Sequence, residues 1–242
     1  MSIKPMKRTG FNQGIFAQSS TQKEELGALR ILRDGRKFRY AKAGASALAA
    51  GKLSCAAALG ADVMTEVCTA VHAIGDVVFA ETITSATYAE NYFAGGYLQI
   101  NDGTGEGYQY KIVSSTAVAA GTSIILTLDE PIRIATAGTS ASEFSIMHSP
   151  WQAVVETATL AMPVGVATGV VTAAYYCWLQ TGGPAIALSG ASDAVGKPLF
   201  QSTSVAGALS GADTASYYPQ VAIAMGTVGV ATEYKPVMLC LD

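Results

Sequence analysis

Charge is the scarcest commodity in this sequence. Only 14% of its 242 residues are Asp, Glu, Lys or Arg, although half are apolar. Helical bundles need Leu-rich stripes and charged outer faces. The excess here is Ala, Gly, Val, Ser and Thr, which favours strands joined by small-residue turns. A charge-poor surface is poorly soluble unless partners cover much of it, so the composition points to an assembly component. The four cysteines, Cys55, Cys68, Cys177 and Cys240, lie far apart and form no CxxC pair. Metal ligation is therefore not expected, and all four read as buried structural thiols of a reducing cytoplasm. No cofactor is expected either. No apolar run follows Lys4-Pro5-Met6-Lys7-Arg8, so a signal peptide is not expected. Thr157–Ser192 lacks any charge, but its Pro, Gly and β-branched residues fit two buried strands with a turn better than a membrane helix.

Catalytic patterns are also missing. His72 and His148 are the only histidines, and no GxSxG elbow exists. Ser149 follows His148 directly, and neighbours on a strand point to opposite faces. Gly103-Thr104-Gly105-Glu106-Gly107 has GxGxG spacing and precedes a tyrosine-rich strand. It reads as a hairpin tip rather than a phosphate loop, which needs a helix after it. Asp102 with Glu106, and Asp129 with Glu130, stand where turns normally place acids. No enzyme is expected.

What charge there is divides unevenly. Residues 1–42 hold ten Lys/Arg against three acids, net +7, and the remainder is net −10. The expected organisation is an extended basic N-terminal arm over 1–42. A first β domain over 43–158 follows, including an Ala/Gly-rich connector, and then a second β lobe over 159–242. The fold class is all-β, with a sandwich- or barrel-like body. Within the arm, Ala28–Leu32 and Lys37–Tyr40 flank the turn signal Asp34-Gly35, which predicts a hairpin. Residues 1–20 look irregular. Strand-like runs recur at 77–84, 97–100, 108–113, 124–128 and 144–148. Tyr175–Gln180 and Ala185–Leu188 flank Thr181-Gly182-Gly183-Pro184, read as a second hairpin turn.

The arm predicts a docking element for an acidic surface. Its contact set is Lys4, Lys7, Arg8, Arg30, Arg33, Arg36, Lys37 and Arg39, with Phe11, Phe16, Phe38 and Tyr40 as apolar anchors. It lacks a nucleic-acid motif, so nucleic acid is not the favoured partner. Tyr88, Tyr92, Phe93, Tyr97, Tyr108 and Tyr110 form a candidate subunit interface, and strand-borne tyrosines could equally stack on sugars.

The runs Asp34–Leu53, Tyr92–Ile112 and Tyr175–Pro184 resemble structural proteins of tailed phages, in particular capsid decoration (cement) and related head proteins. That resemblance implies a β-rich, often trimeric protein on the capsid exterior, assembled in the host cytoplasm. Its partner would be the major capsid protein, and no catalytic residues carry over. The other reading of the sequence is a receptor- or carbohydrate-binding module of a tail or fibre.

Overall fold

The computed structural model describes residues 10–138, 141–211, 219–226 and 231–242. Fifteen strands account for its regular structure. In chain order they are β1 (Leu29–Ile31), β2 (Lys37–Lys42), β3 (Leu53–Cys55), β4 (Glu66–Val67) and β5 (Val78–Ile83). Then come β6 (Tyr97–Gly103), β7 (Gln109–Ser115), β8 (Thr122–Leu128), β9 (Ser142–Met147) and β10 (Pro163–Ala167). The last are β11 (Tyr176–Leu188), β12 (Pro198–Gln201), β13 (Leu209–Ser210), β14 (Ala222–Ala224) and β15 (Tyr234–Cys240). One 3-10 turn, Ala61–Val63, is the only helical element among the described residues. The chain is all-β, built on two sheets, one of them a curled half-barrel.

The chain divides into two compact units at places other than those expected. Unit 1 joins the residues up to Ala57 to Trp151–Asp242, and unit 2 is the inserted segment Ala58–Pro150. Boundaries after 42 and 158 fail because pairing crosses them. β2 pairs with β11, Lys42 N donates to Trp151 O, and β3 pairs with β10. The arm is not a separate element either, since its described part belongs to unit 1.

Unit 1 holds a nine-stranded sheet ordered β1-β2-β11-β15-β14-β12-β13, with β10 between β11 and β3. Alternation along β2 gives this sheet two cores. Phe38 and Tyr40 join Trp178 on one face, covered by Phe11, Ile15 and Leu26. Ala41 and Ala43 join Cys177, Leu179, Leu48 and Val154 on the other. A third cluster fills the β12–β15 side with Leu199, Leu209, Val221, Val237 and Leu239. The uncharged 157–192 stretch folds as β10 and β11, antiparallel to each other. No helix of the described residues is long and apolar enough to cross a membrane.

The Asp34-Gly35 hairpin forms as expected: Leu29 lies opposite Arg39 and Ile31 opposite Lys37. The second expected hairpin does not. Thr181–Pro184 lies inside the single thirteen-residue strand β11. Gln180 pairs with Phe38 and Gly182 with Lys37, so Thr181 is the extra residue of a β-bulge. From Gly182 onward the strand pairs with β15, and Thr181 O accepts from Leu241 N at 3.0 Å. The Gly-Gly pair serves this handover. Gly183 has φ +85°, and a Cβ there would stand 3.2 Å from Arg36 Cα.

Unit 2 is a six-stranded sheet ordered β4-β9-β6-β7-β8-β5. One apolar core lies within it, built from Phe79, Phe93, Leu98, Tyr110, Ile112, Leu126 and Phe144 among others. The sheet curls so that the chain after β4 meets β5. The join is made by a side chain. The buried Glu81 carboxylate accepts from Thr69 N at 3.0 Å, Thr69 Oγ1 at 2.6 Å and Ala70 N at 3.1 Å, and lies 3.1 Å from His72 Nε2.

Candidate interaction surfaces

The expected contact residues of the basic segment have separate fates. Lys4, Lys7 and Arg8 lie outside the described residues. Phe38 and Tyr40 are fully buried, so they cannot serve as anchors for a partner. Phe11 packs edge-on against Trp178 at 5.1 Å. Arg30 shares the face of Phe38, and its guanidinium lies 5.0 Å from the Phe11 ring centre. Its Nη1 donates to Gln13 O at 2.8 Å.

Gln13 ties this region down. Its Oε1 accepts from Tyr40 OH at 2.7 Å, and its Nε2 donates to Ala17 O at 2.7 Å and Tyr176 O at 3.0 Å. Its own carbonyl also accepts from Trp178 Nε1 at 3.1 Å. Each buried partner left unpaired would cost about 1–3 kcal/mol, which makes this network the lock on residues 10–28. Burial pushes the Tyr40 hydroxyl up to about 12.

Arg39 is likewise committed. Its Nε and Nη2 donate to the two Asp242 carboxylate oxygens at 3.0 and 2.9 Å, and Nη1 donates to Gly27 O. The paired hydrogen bonds from Arg39 hold the Asp242 carboxyl below the usual range. What remains outward is the hairpin tip. Arg33 is exposed, Arg36 pairs with Asp34 at 2.8 Å, and Lys37 is half-buried on the strand beside it. Ile31 on the edge strand β1 is 59% exposed.

Phe16 is exposed and lines an open groove of about 590 Å³ in unit 1. The groove runs along β11 past the bulge. Its walls include Arg36, Gln180, Ile186 and Tyr234, and its floor includes Gly51. Glycine is required at 51: φ is +72°, and a Cβ would lie 2.7 Å from a ring carbon of Tyr234. Tyr234 and Ile186 gave no signal in the sequence. They become neighbours only through the β11–β15 register, which sets Leu188 against Tyr234 and Ile186 against Pro236.

The expected tyrosine interface disperses too. Phe93 and Tyr110 are buried in the unit 2 core, and Tyr88 and Tyr92 pack against it. Tyr88 OH donates to Asp62 Oδ1 at 3.1 Å. Tyr97 is half-buried, and Tyr108 stacks beside Tyr110 while remaining 41% exposed. Asp102, Glu106, Asp129 and Glu130 are solvated, with Asp102 capping Gly103 N and Glu130 accepting from Lys111 N. His148 Nδ1 lies 2.9 Å from the Ser149 carbonyl. No cluster of three metal-ligating side chains gathers among the described residues. One expected buried thiol is exposed: Cys240, on β15 at the end of the chain. No family model, no curated protein and no solved structure matches this chain.

Proposed function

We propose that this protein is a non-enzymatic structural component of a tailed-phage virion. In this reading it is a decoration protein that binds the major capsid protein on the capsid exterior and stabilises capsomer junctions. The observation that carries the reading is a charge-poor all-β chain that leaves large apolar side chains exposed on both units, among them Phe16, Val170 and Ile186 in unit 1 and Val71, Ile74 and Val113 in unit 2. Surfaces of this kind are covered in an assembly. The cations offered to capsid carboxylates are Lys4, Lys7 and Arg8, because Arg30 and Arg39 are held within the fold.

The test removes residues 1–9 only, since deletion to residue 20 would also strip Phe11, Gln13 and Ile15 from their packing. Co-sedimentation with capsids assembled from the cognate major capsid protein should fall markedly for the shortened chain at physiological salt. Binding equal to that of the full chain would sink the proposed contact.

The unit 1 groove favours a second reading, a saccharide-binding module. Tyr234 and Phe16 offer rings for stacking, with Gln180 and Arg36 for hydroxyl groups. Under that reading a glycan array returns hits that Tyr234→Ala abolishes; an array without hits removes it.

A further inference from the structure

The division into units reallocates the charge. Unit 2 contains ten acids against Lys111 and Arg133, net −8, whereas unit 1 contains thirteen Lys/Arg against eight acids, net +5. The topology of unit 2 then gathers much of its negative charge at one end of the sheet. β6 ends and β7 begins at the same tip, which carries Asp102 and Glu106. β8 ends opposite the start of β7, with Ile112 against Leu128, and delivers Asp129 and Glu130 there. β5 begins opposite the end of β8, with Val78 against Thr127, and Asp76 precedes it. Asp76 O accepts from Ile132 N at 2.8 Å, which fixes the two acidic turns side by side. All five carboxylates are on exposed residues, and both cations of the unit stand at the same end, Arg133 next to Ile132 and Lys111 bonded through its backbone to Asp129 and Glu130, which leaves that end net −3.

The acidic end also exposes apolar side chains: Ile74 at 69%, Val71 at 67% and Tyr108 at 41%. Carboxylates around exposed aliphatic and aromatic groups make a surface for a cationic, partly apolar partner.

We propose that this end of unit 2 docks the β1–β2 hairpin of a second copy of the chain. The hairpin has the matching chemistry. Arg33, Arg36 and Lys37 cluster at its tip beside exposed Ile31, and among the described residues β1 pairs with β2 alone. The two surfaces are different patches of one molecule, so the contact is head-to-tail. Such a contact propagates into a closed ring or an open chain. The attraction acts between exposed charges and is screened within about 10 Å at 0.1 M salt, so association depends on ionic strength.

Sedimentation velocity of the full chain, without capsids, tests the proposal. Self-association is expected at 25 mM NaCl and should dissolve toward 500 mM. The hairpin variant Arg33→Glu/Arg36→Glu and the end variant Asp102→Lys/Glu106→Lys should each weaken it about tenfold or more. Mixed together, those two variants supply one intact hairpin and one intact acidic end between them, so the mixture should regain the association that neither shows alone. Circular dichroism identifies any variant that fails to fold, and Arg33→Gln with Asp102→Asn then replaces it. A wild-type monomer at low salt and all concentrations overturns the proposal. So does loss of association in only one of the two variants, which would place the hairpin against another protein or another patch. Because no capsid is present, either failure leaves the capsid reading standing.

Discussion

Thiol chemistry separates the four cysteines by environment. Burial pushes Cys55 and Cys177 up to about 12 and Cys68 to about 11, which withholds the reactive thiolate at neutral pH. Cys240 lies in solvent. One thiol should therefore react with Ellman's reagent in the native protein and four in denaturant, and Cys240→Ser should abolish the native signal. Two or more rapid native thiols would contradict the packing of β3, β11 or the segment after β4. The sequence offered no means of telling Cys240 from the other three. All four have apolar or small neighbours, and exposure at 240 follows from alternation along β15, where Leu239 turns inward and Cys240 outward.

At the scale of elements, hairpins with a turn signal between two alternating runs were readable. Asp34-Gly35 and the Asn101–Gly107 tip both form. Thr181–Pro184 carried the same signal and forms a bulge instead. Local chemistry shows that glycine is needed; it does not show whether a turn or an approaching strand needs it. Only the partner strands β2 and β15 settle that. Glu81 was invisible for a similar reason. A lone acid in an apolar run reads as a surface residue, yet it closes the curl of unit 2. Replacing it with Ala leaves the amides of Thr69 and Ala70 without their acceptor in a buried site, a loss on the order of 3–5 kcal/mol. Both tryptophans, Trp151 and Trp178, belong to unit 1. Glu81→Ala should therefore lower the urea midpoint seen by far-UV circular dichroism while leaving the Trp fluorescence transition in place. An unchanged dichroism midpoint would show that Glu81 is not the clasp.

The molecule as a whole reinterprets the charge split that dominates its sequence. Read linearly, a basic arm precedes an acidic body. Read in three dimensions, the described part of the arm is sheet and core, and the acidity belongs mainly to an inserted unit. The candidate surfaces were correspondingly hard to read. Arg33 is exposed and Arg36 and Lys37 are half-buried, whereas Arg30 and Arg39 are held by hydrogen bonds to Gln13 and Asp242 and Phe38 and Tyr40 are buried with Trp178 because β2 has β11 as its neighbour. That neighbour lies more than a hundred residues downstream, beyond any local pattern.

The same long-range pairing sets an order of events during synthesis. β2 emerges early and must wait for β11, and β3 for β10, while the whole of unit 2 is translated in between. Unit 2 needs no residue from outside 58–150 for its sheet or core. It is thus free to fold while the first half of unit 1 still lacks its partners, because closing a long loop must precede the contacts that reward it. Pulse-labelled hydrogen exchange on stalled nascent chains ending near residue 190 should find β5–β9 amides protected in chains too short to expose β11, and β2 amides protected only once β11 has left the ribosome. Simultaneous protection of β2 and β6 would contradict that order. Until then the apolar face of β2 stands uncovered, and the basic residues that surround Phe38 and Tyr40 in sequence keep that waiting strand in solution.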